Sequence, residues 1–228
     1  MADPSARLSA IAFDAYGTLL DTVSATRRHA TRIGPEWERF SQLWRTKQFE
    51  YTWVRSLAGP AQHADFARVV DHALAHAAGA HGIADTALLA ELRDSFDHLE
   101  PFADVIPALR ALRERGVRCA ILSNGTPSML AHQLRNAGLE TLLDPVISVE
   151  EVGIFKPEPR VYAHAETRLG LSGGRLGFVS SNAWDVFGAH AFGLRPFWIN
   201  RRGQPDEYGL RGRVPEAADL DGLLALLE

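Results

Sequence analysis

"LSAIAFDAYGTLLD", residues 8–21, is the stretch whose reading decides the fold. A short apolar run ends at Phe13 and is cut off by Asp14 and the turn-forming Gly17, the signature of a buried strand that stops at a polar turn. Further runs of the same kind follow at "RCAILS", "PVIS", "LGFVS" and "PFWIN". Between them lie amphipathic stretches such as "ADVIPALRALRERG" and "PSMLAHQLRNAG", each closed by glycine. This alternation predicts an α/β fold with a parallel sheet. From Asp21 to about Leu99 the alternation stops, and "PEWERFSQLWRTKQFEYTWVRSL", "HADFARVVDHALAHAAG" and "DTALLAELRDSFDHL" all carry helical spacing. The chain is therefore expected to divide into a core of residues 1–20 and 99–228 and an inserted helical subdomain of residues 21–98. Because the insertion leaves after the first strand, it is expected over the carboxyl edge of the sheet, where open α/β folds bind ligands. The segment "RRGQPDEYGLRGRVPEAADL" reads as a surface loop leading into a last helix.

Composition sets the outer limits. With 228 residues, 46% of them hydrophobic and 23% charged, the chain has the make-up of an ordinary globular protein able to bury a full core. A net charge of -4 gives no clustered basic footprint for nucleic acid or an anionic membrane surface. The lone Cys119 lies in the apolar "VRCAILS" and reads as a buried strand thiol, which suits a reducing compartment. No stretch approaches the roughly 18 apolar residues of a membrane span, and "MADPSARLSAIAF" lacks the apolar core of a signal peptide. A cytoplasmic protein acting on a small molecule is the expectation.

Polar residues gather where strands end. Asp14 follows "IAF", Ser123 and Asn124 close "AILSN", Lys156 follows "VISVEEVGIF", and Ser180, Asn182 and Asp185 follow "GFV". In a parallel sheet these four segments converge on one crevice. A single aspartate at a strand end is as often a turn cap as a catalytic group; the set of four in this order points to a site.

At these motifs the sequence resembles the haloacid dehalogenase superfamily over nearly its whole length. "DAYGTLLD" is similar to the first motif with its nucleophilic aspartate, "ILSNG" to the second, "FKPEPRVY" to the third and "SSNAWD" to the fourth. More narrowly, "DAYGTL", "LWRTKQFEYTW", "GIFKPEPRVY" and "VSSNAWD" resemble the L-2-haloacid dehalogenases. That resemblance implies a Rossmann-like core with a helical cap, a homodimer, and hydrolysis of short L-2-haloacids to 2-hydroxy acids with inversion. Most of the superfamily are phosphatases, in which an acid two positions after the nucleophile protonates a departing alkoxide and further carboxylates hold magnesium. Here that position is Tyr16, and Asn182 stands where an acidic magnesium ligand is usual. A halide leaves without a proton, and a hard divalent cation needs more carboxylates than these. Both departures point to attack on carbon with no metal and no cofactor.

The resemblance implies roles residue by residue. Asp14 is the nucleophile and Lys156 the cation that keeps it charged. Thr18 either orients Asp14 or merely starts the next helix. Ser123 and Asn124, ahead of a helix starting near Pro127, offer donors to the substrate carboxylate, or simply form a turn. Arg45, with Phe49 one helical turn on, is the halide acceptor. Asn182 and Asp185 place or activate water, with Ser180 anchoring the Asp14–Lys156 pair; Asp185 has the equal alternative of pairing with Lys156. Tyr162 is a polar ring expected to reach the site, or a core tyrosine. Tyr16, Phe49 and Trp184 form an apolar wall around the substrate, unless they are core packing. His72 and His76 share a helix face but lack a third metal ligand and read as exposed residues. "SGGR" around Gly173 reads as a turn. Three rivals stand: a magnesium phosphatase, a hydrolase of another 2-substituted acid such as a strained ring amine, and a non-catalytic binding protein.

Overall fold

A computed structural model describes residues 8–172 and 174–228. The start of the chain and Gly173 of the expected turn lie outside the described residues.

The chain begins with β1 (Ala10–Phe13), a short strand β2 (Leu20–Asp21) and two single-turn helices, α1 (Ser24–Arg27) and α2 (Ala30–Ile33). Three longer helices follow, α3 (Trp37–Leu57), α4 (Phe66–Ala80) and α5 (Thr86–Asp97), and then a short strand β3 (Glu100–Pro101). The remainder alternates: α6 (Val105–Glu114), β4 (Arg118–Ser123), α7 (Pro127–Asn136), β5 (Val146–Ser148), α8 (Pro159–Leu169), β6 (Leu176–Ser180), α9 (Ala183–Phe192), β7 (Arg195–Ile199), β8 (Glu216–Ala217) and α10 (Leu220–Leu226).

The main sheet runs β5-β4-β1-β6-β7-β8, all parallel. Its five principal strands are the five apolar runs. Every residue of β1 is fully buried, as expected of a parallel strand covered on both faces, which is why the sequence there is continuously apolar. In register, Phe13 lies opposite Ile121 on one side and Val179 on the other. The order reverses at β1, because the chain fills the sheet outward through β4 and β5 and then returns to β6. Ligand crevices of open α/β sheets form at such a reversal, and Asp14 leaves β1 there.

Two features depart from expectation. The segment expected to be an irregular loop before the last helix contains β8, which adds a sixth strand beside β7 through Trp198↔Glu216 and Ile199↔Ala217. Two residues are too few to show the alternation that marks a strand. The neck of the insertion also carries β2 and β3, paired antiparallel through Leu20↔Pro101 and Asp21↔Glu100. That clasp holds the outgoing and returning chain together.

Inside the insertion, α3 packs on α4 through Phe40, Trp44, Phe66, Val69 and Val70, all buried. Trp44 Nε1 donates to the Val70 carbonyl at 3.1 Å. Asp65 and Asp85 cap α4 and α5 by accepting from Arg68 N and Leu88 N, each such cap contributing about 1 kcal/mol. The apolar core is continuous from the sheet into the insertion. Cys119 is buried on β4 and burial pushes its thiol up to about 12, so it is inert. His72 and His76 lie exposed on α4. Among the described residues no three His, Cys, Asp or Glu side chains gather as metal ligands.

Candidate active site

Asp14 is the first residue after β1, and its amide donates to the Val179 carbonyl at 2.9 Å, tying the turn to β6. Gly17, at φ 84°, supplies a left-handed turn that a side chain would disfavour. This turn brings Thr18 back to Asp14, where Thr18 Oγ1 donates to Asp14 Oδ2 at 2.9 Å and accepts from Ser181 N at 2.8 Å. Asn182 Nδ2 donates to the same Oδ2 at 2.8 Å and to the Tyr16 carbonyl at 3.1 Å. Thr18 is thus an orienting group for Asp14 and not merely the start of a helix.

The other oxygen of Asp14 faces a cation. Lys156 Nζ lies 3.3 Å from Asp14 Oδ1 and 2.8 Å from Asp185 Oδ2, with only 1% of its side chain exposed. Lys156 is placed by its own amide, which donates to Asn124 Oδ1 at 3.1 Å, and its ammonium lies over the Phe178 ring. Of the two roles open to Asp185, the ion pair with Lys156 is what the geometry displays. Tyr162 OH donates to Asp185 Oδ1 at 2.7 Å, so both Asp185 oxygens are engaged. Burial pushes the Asp185 carboxyl up to about 6; Lys156 opposes the rise and the charge of Asp14 adds to it.

This arrangement answers whether a divalent cation fits. The space between the two carboxylates is already filled by the Lys156 ammonium, so the residues present do not form a magnesium cage.

Tyr162 does not reach the crevice. It is fully buried behind Asp185, and its hydroxyl is pressed against α9, where a Cβ on Gly188 would come within 2.6 Å of it. The expectation that its polar ring reaches the substrate is corrected: of the two readings, the core tyrosine holds, and its hydroxyl supports Asp185. Ser180 is less engaged than expected: its Oγ is 3.5 Å from Asp14 Oδ2 and accepts from Asn182 N at 3.1 Å. A contact of that length is a weak bond, and the anchoring of Asp14 falls to Thr18 and Asn182.

Ser123 and Asn124 sit at the end of β4 on the same edge, both buried. Ser123 Oγ accepts from Gly125 N at 3.1 Å, and its hydroxyl hydrogen remains available to donate. Helix α7 starts at Pro127 as expected, but its N-terminus has little left for an anion. Pro127 has no N–H, and Met129 N is taken by the Thr126 cap. The donors of this edge are therefore side chains.

Arg45 projects from α3 toward the turn after Asp14. Its Nη2 donates to the Tyr16 carbonyl at 3.0 Å and its Nη1 to Gln48 Oε1 at 2.8 Å. Its guanidinium lies 4.2 Å from the Phe49 ring centroid and 5.8 Å from that of Tyr16. Burial lowers its pKa to about 10, which leaves it charged at neutral pH. The three expected wall rings are not contiguous, because Arg45 separates them. Phe49 packs edge-on to Trp184 at 5.3 Å and stacks with Trp53 at 5.8 Å. Tyr16 stacks instead between Phe66 and Phe96, with its hydroxyl donating to Gln133 Oε1 at 2.8 Å. The buried indole N–H groups of Trp53 and Trp184 find no acceptor among the described residues.

Sequence reasoning missed Gln48, Trp53 and Gln133. The first two were readable from spacing, since both lie one turn from Arg45 or Phe49 on α3. Gln133 carried no signal: it joins Tyr16 to α5 by donating to the Phe96 carbonyl at 2.8 Å, a contact across 37 positions.

A buried carboxylate at the switch point of a parallel sheet, flanked by a lysine and overhung by a helical insertion, is the arrangement of a small-molecule hydrolase site. A family model for haloacid dehalogenase-like hydrolases matches residues 8–193, and the chain belongs to that family. The chain is 42% identical over 221 residues to (S)-2-haloacid dehalogenase 1 of Pseudomonas sp. (strain CBS-3), covering 96% of each. It is 41% identical to (S)-2-haloacid dehalogenase 4A of Burkholderia cepacia, covering 96% of this chain and 95% of that one. Among solved structures it resembles L-2-haloacid dehalogenase from Xanthobacter autotrophicus with chloropropionic acid covalently bound. The TM-score is 0.84 and the identity 33%, over 96% of this chain and 98% of that one.

Proposed function

We propose that the protein is an (S)-2-haloacid dehalogenase that converts short L-2-haloalkanoic acids and haloacetates to 2-hydroxy acids and halide. The observation that carries this reading is the asymmetry of Asp14. One oxygen is held by Thr18 and Asn182, while the other, among the described residues, has no neutral donor and faces the Lys156 ammonium. A carboxylate fixed in this way has one oxygen committed to orientation and one left to attack.

In the proposed reaction, Asp14 Oδ1 forms a bond to C2 from the side opposite the halogen, and the C–X electron pair leaves as halide. Lys156 keeps the attacking group ionised. Arg45, broad and weakly hydrated beside Phe49, receives the halide. Ser123 and Asn124 hold the substrate carboxylate, and Phe49, Trp53 and Trp184 bound the C2 substituent. Water placed by Asn182 then attacks the Asp14 carbonyl carbon. Its proton passes to the Asp185–Lys156 pair, where burial has moved the Asp185 carboxyl to about 6, within the working range of a base. The acyl–oxygen bond breaks, the leaving oxygen takes back the proton held by the Asp185–Lys156 pair to give the 2-hydroxy acid, and Asp14 returns to the carboxylate by losing the second water proton to solvent; the configuration inverted in the first step is retained in the second. Support for the covalent route comes from the Xanthobacter autotrophicus relative with chloropropionic acid covalently bound.

The proposal extends to residues 21–98 acting as a cap, supported by the β2–β3 clasp that joins them to the core and by the hydrogen bond of Arg45 to the Tyr16 carbonyl, two residues after Asp14. It also extends to a cytoplasmic homodimer, in keeping with the family resemblance and a single buried, unpaired cysteine. Halide release from L-2-chloropropionate by wild type and by Asp14→Asn, with and without a chelator, tests the reading. Wild-type turnover indifferent to chelation and none in the variant is expected. Phosphate release from phosphomonoesters without halide release would replace this function with a phosphatase.

A further inference from the structure

Two adjoining clefts open beside the site, one of about 610 Å³ and one of about 390 Å³. Arg45 and Arg202 line both. The larger one also reaches Gly17, Asn182 and Trp184, the rim of the Asp14 pocket.

The cations of these clefts are not equivalent. Arg27 pairs with Asp21, and Arg201 pairs with Asp104 at 3.0 Å while donating to the Thr18 carbonyl. Arg45 is committed to Gln48 and Tyr16. Arg202, exposed in the loop after β7, makes no ion pair or hydrogen bond among the described residues. It lies near enough to Arg45 for their like charges to interact, and that repulsion lowers the proton affinity of Arg45. Asp21 and Glu207 in the larger cleft and Glu38 in the smaller are the acids facing this pair, and Asp21 is already neutralised by Arg27. An uncommitted guanidinium beside a half-buried one, in a concave opening, favours an anion between them.

We infer that Arg202 is an anion-capture site at the mouth of the active-site cleft, taking the carboxylate of an incoming 2-haloacid before it passes to the inner donors. The inference rests on the 2-haloacid reading for the identity of the anion. Because Arg202 touches neither Asp14 nor its partners, it acts on capture and not on bond breaking.

The test compares wild type, Arg202→Gln and Arg202→Lys for halide release from L-2-chloropropionate between low and high ionic strength. Arg202→Gln should lower kcat/KM by roughly 3- to 10-fold at low salt, because a focused cleft charge raises the on-rate of an oppositely charged ligand. The gap should close as the screening length falls from about 30 Å at 0.01 M to about 3 Å at 1 M. Throughout, kcat should stay unchanged, and Arg202→Lys should resemble wild type. Equal kcat/KM for wild type and Arg202→Gln at low salt, or a loss of kcat that salt does not touch, overturns the inference. A second readout needs no turnover: Trp184 and Trp198 line the cleft, so Arg202→Gln should weaken fluorescence quenching by iodide but not by neutral acrylamide. If wild type releases no halide, the 2-haloacid reading fails; iodide quenching that is identical in wild type and variant overturns anion capture itself.

Discussion

Replacing Lys156 by methionine removes the one cation between two buried carboxylates and keeps most of the side-chain volume. Asp14 is 5% exposed and Asp185 fully buried, so water cannot take over from the lost ammonium. At the observed 3.3 Å, a unit charge pair in an effective dielectric of about 20 is worth about 5 kcal/mol. Breaking a buried pair by deleting one partner costs about 3–5 kcal/mol in practice. The variant escapes that cost by letting the two carboxylates share a proton, and a protonated nucleophile does not attack. Converted to rate, the loss in kcat/KM is about 10²- to 10⁴-fold at neutral pH. Proton uptake also sets the pH response. The variant should recover part of its rate as pH rises, while its thermal stability relative to wild type falls over the same interval. Halide release from L-2-chloropropionate across pH, with melting temperatures in the same buffers, measures both. A loss below about tenfold, or one of equal size at every pH, would refute the argument that Lys156 keeps the nucleophile ionised.

Arg45→Lys should cost roughly 10²-fold in the displacement step, since a compact, hydrated ammonium replaces a broad guanidinium lying on Phe49. Rapid-quench detection of the ester decides it, and normal ester formation followed by a stall would move Arg45 to the hydrolytic half. Phe49→Ala should extend the accepted chain length toward 2-chlorohexanoate at a stability cost of at most about 3 kcal/mol, read from kcat/KM ratios; wild type equally efficient on long and short acids would remove the aromatic wall. The Asp185 carboxyl is raised to about 6 from an ordinary 3.8, so its stabilising contribution is complete below about 3.8 and lost as pH rises through about 6. The stability of wild type relative to Asp185→Asn should therefore grow as pH falls across that window, and urea unfolding that shows the gap shrinking would contradict the assignment.

The sheet and the three long helices were legible because their apolar spacing is a local property. Asp14, Lys156, Asn182 and Asp185 were legible because strand ends in a parallel sheet share one edge, so position in the rhythm implies proximity. What stayed hidden is tertiary. The strands β2, β3 and β8 are two residues each and owe their existence to partners distant in sequence. Tyr162 looked like a polar ring reaching the substrate because spacing brings it to the site but says nothing of depth; the close approach that Gly188 permits draws it behind Asp185. Tyr16 was misplaced for the same reason, since nothing near residue 16 foretells that Gln133 and two phenylalanines will claim its ring. Arg202 carried no motif at all, and only the pairing of its neighbours isolates it.

The covalent role of Asp14 is tested most directly by a single turnover with enzyme in excess over L-2-chloropropionate in water labelled with heavy oxygen. If Asp14 attacks C2 and water then attacks the Asp14 carbonyl, the product's new oxygen comes from the protein, and the label appears in the peptide containing Asp14. Label found in the 2-hydroxy acid, with that peptide unlabelled, would contradict the nucleophilic aspartate and leave water as the direct attacker.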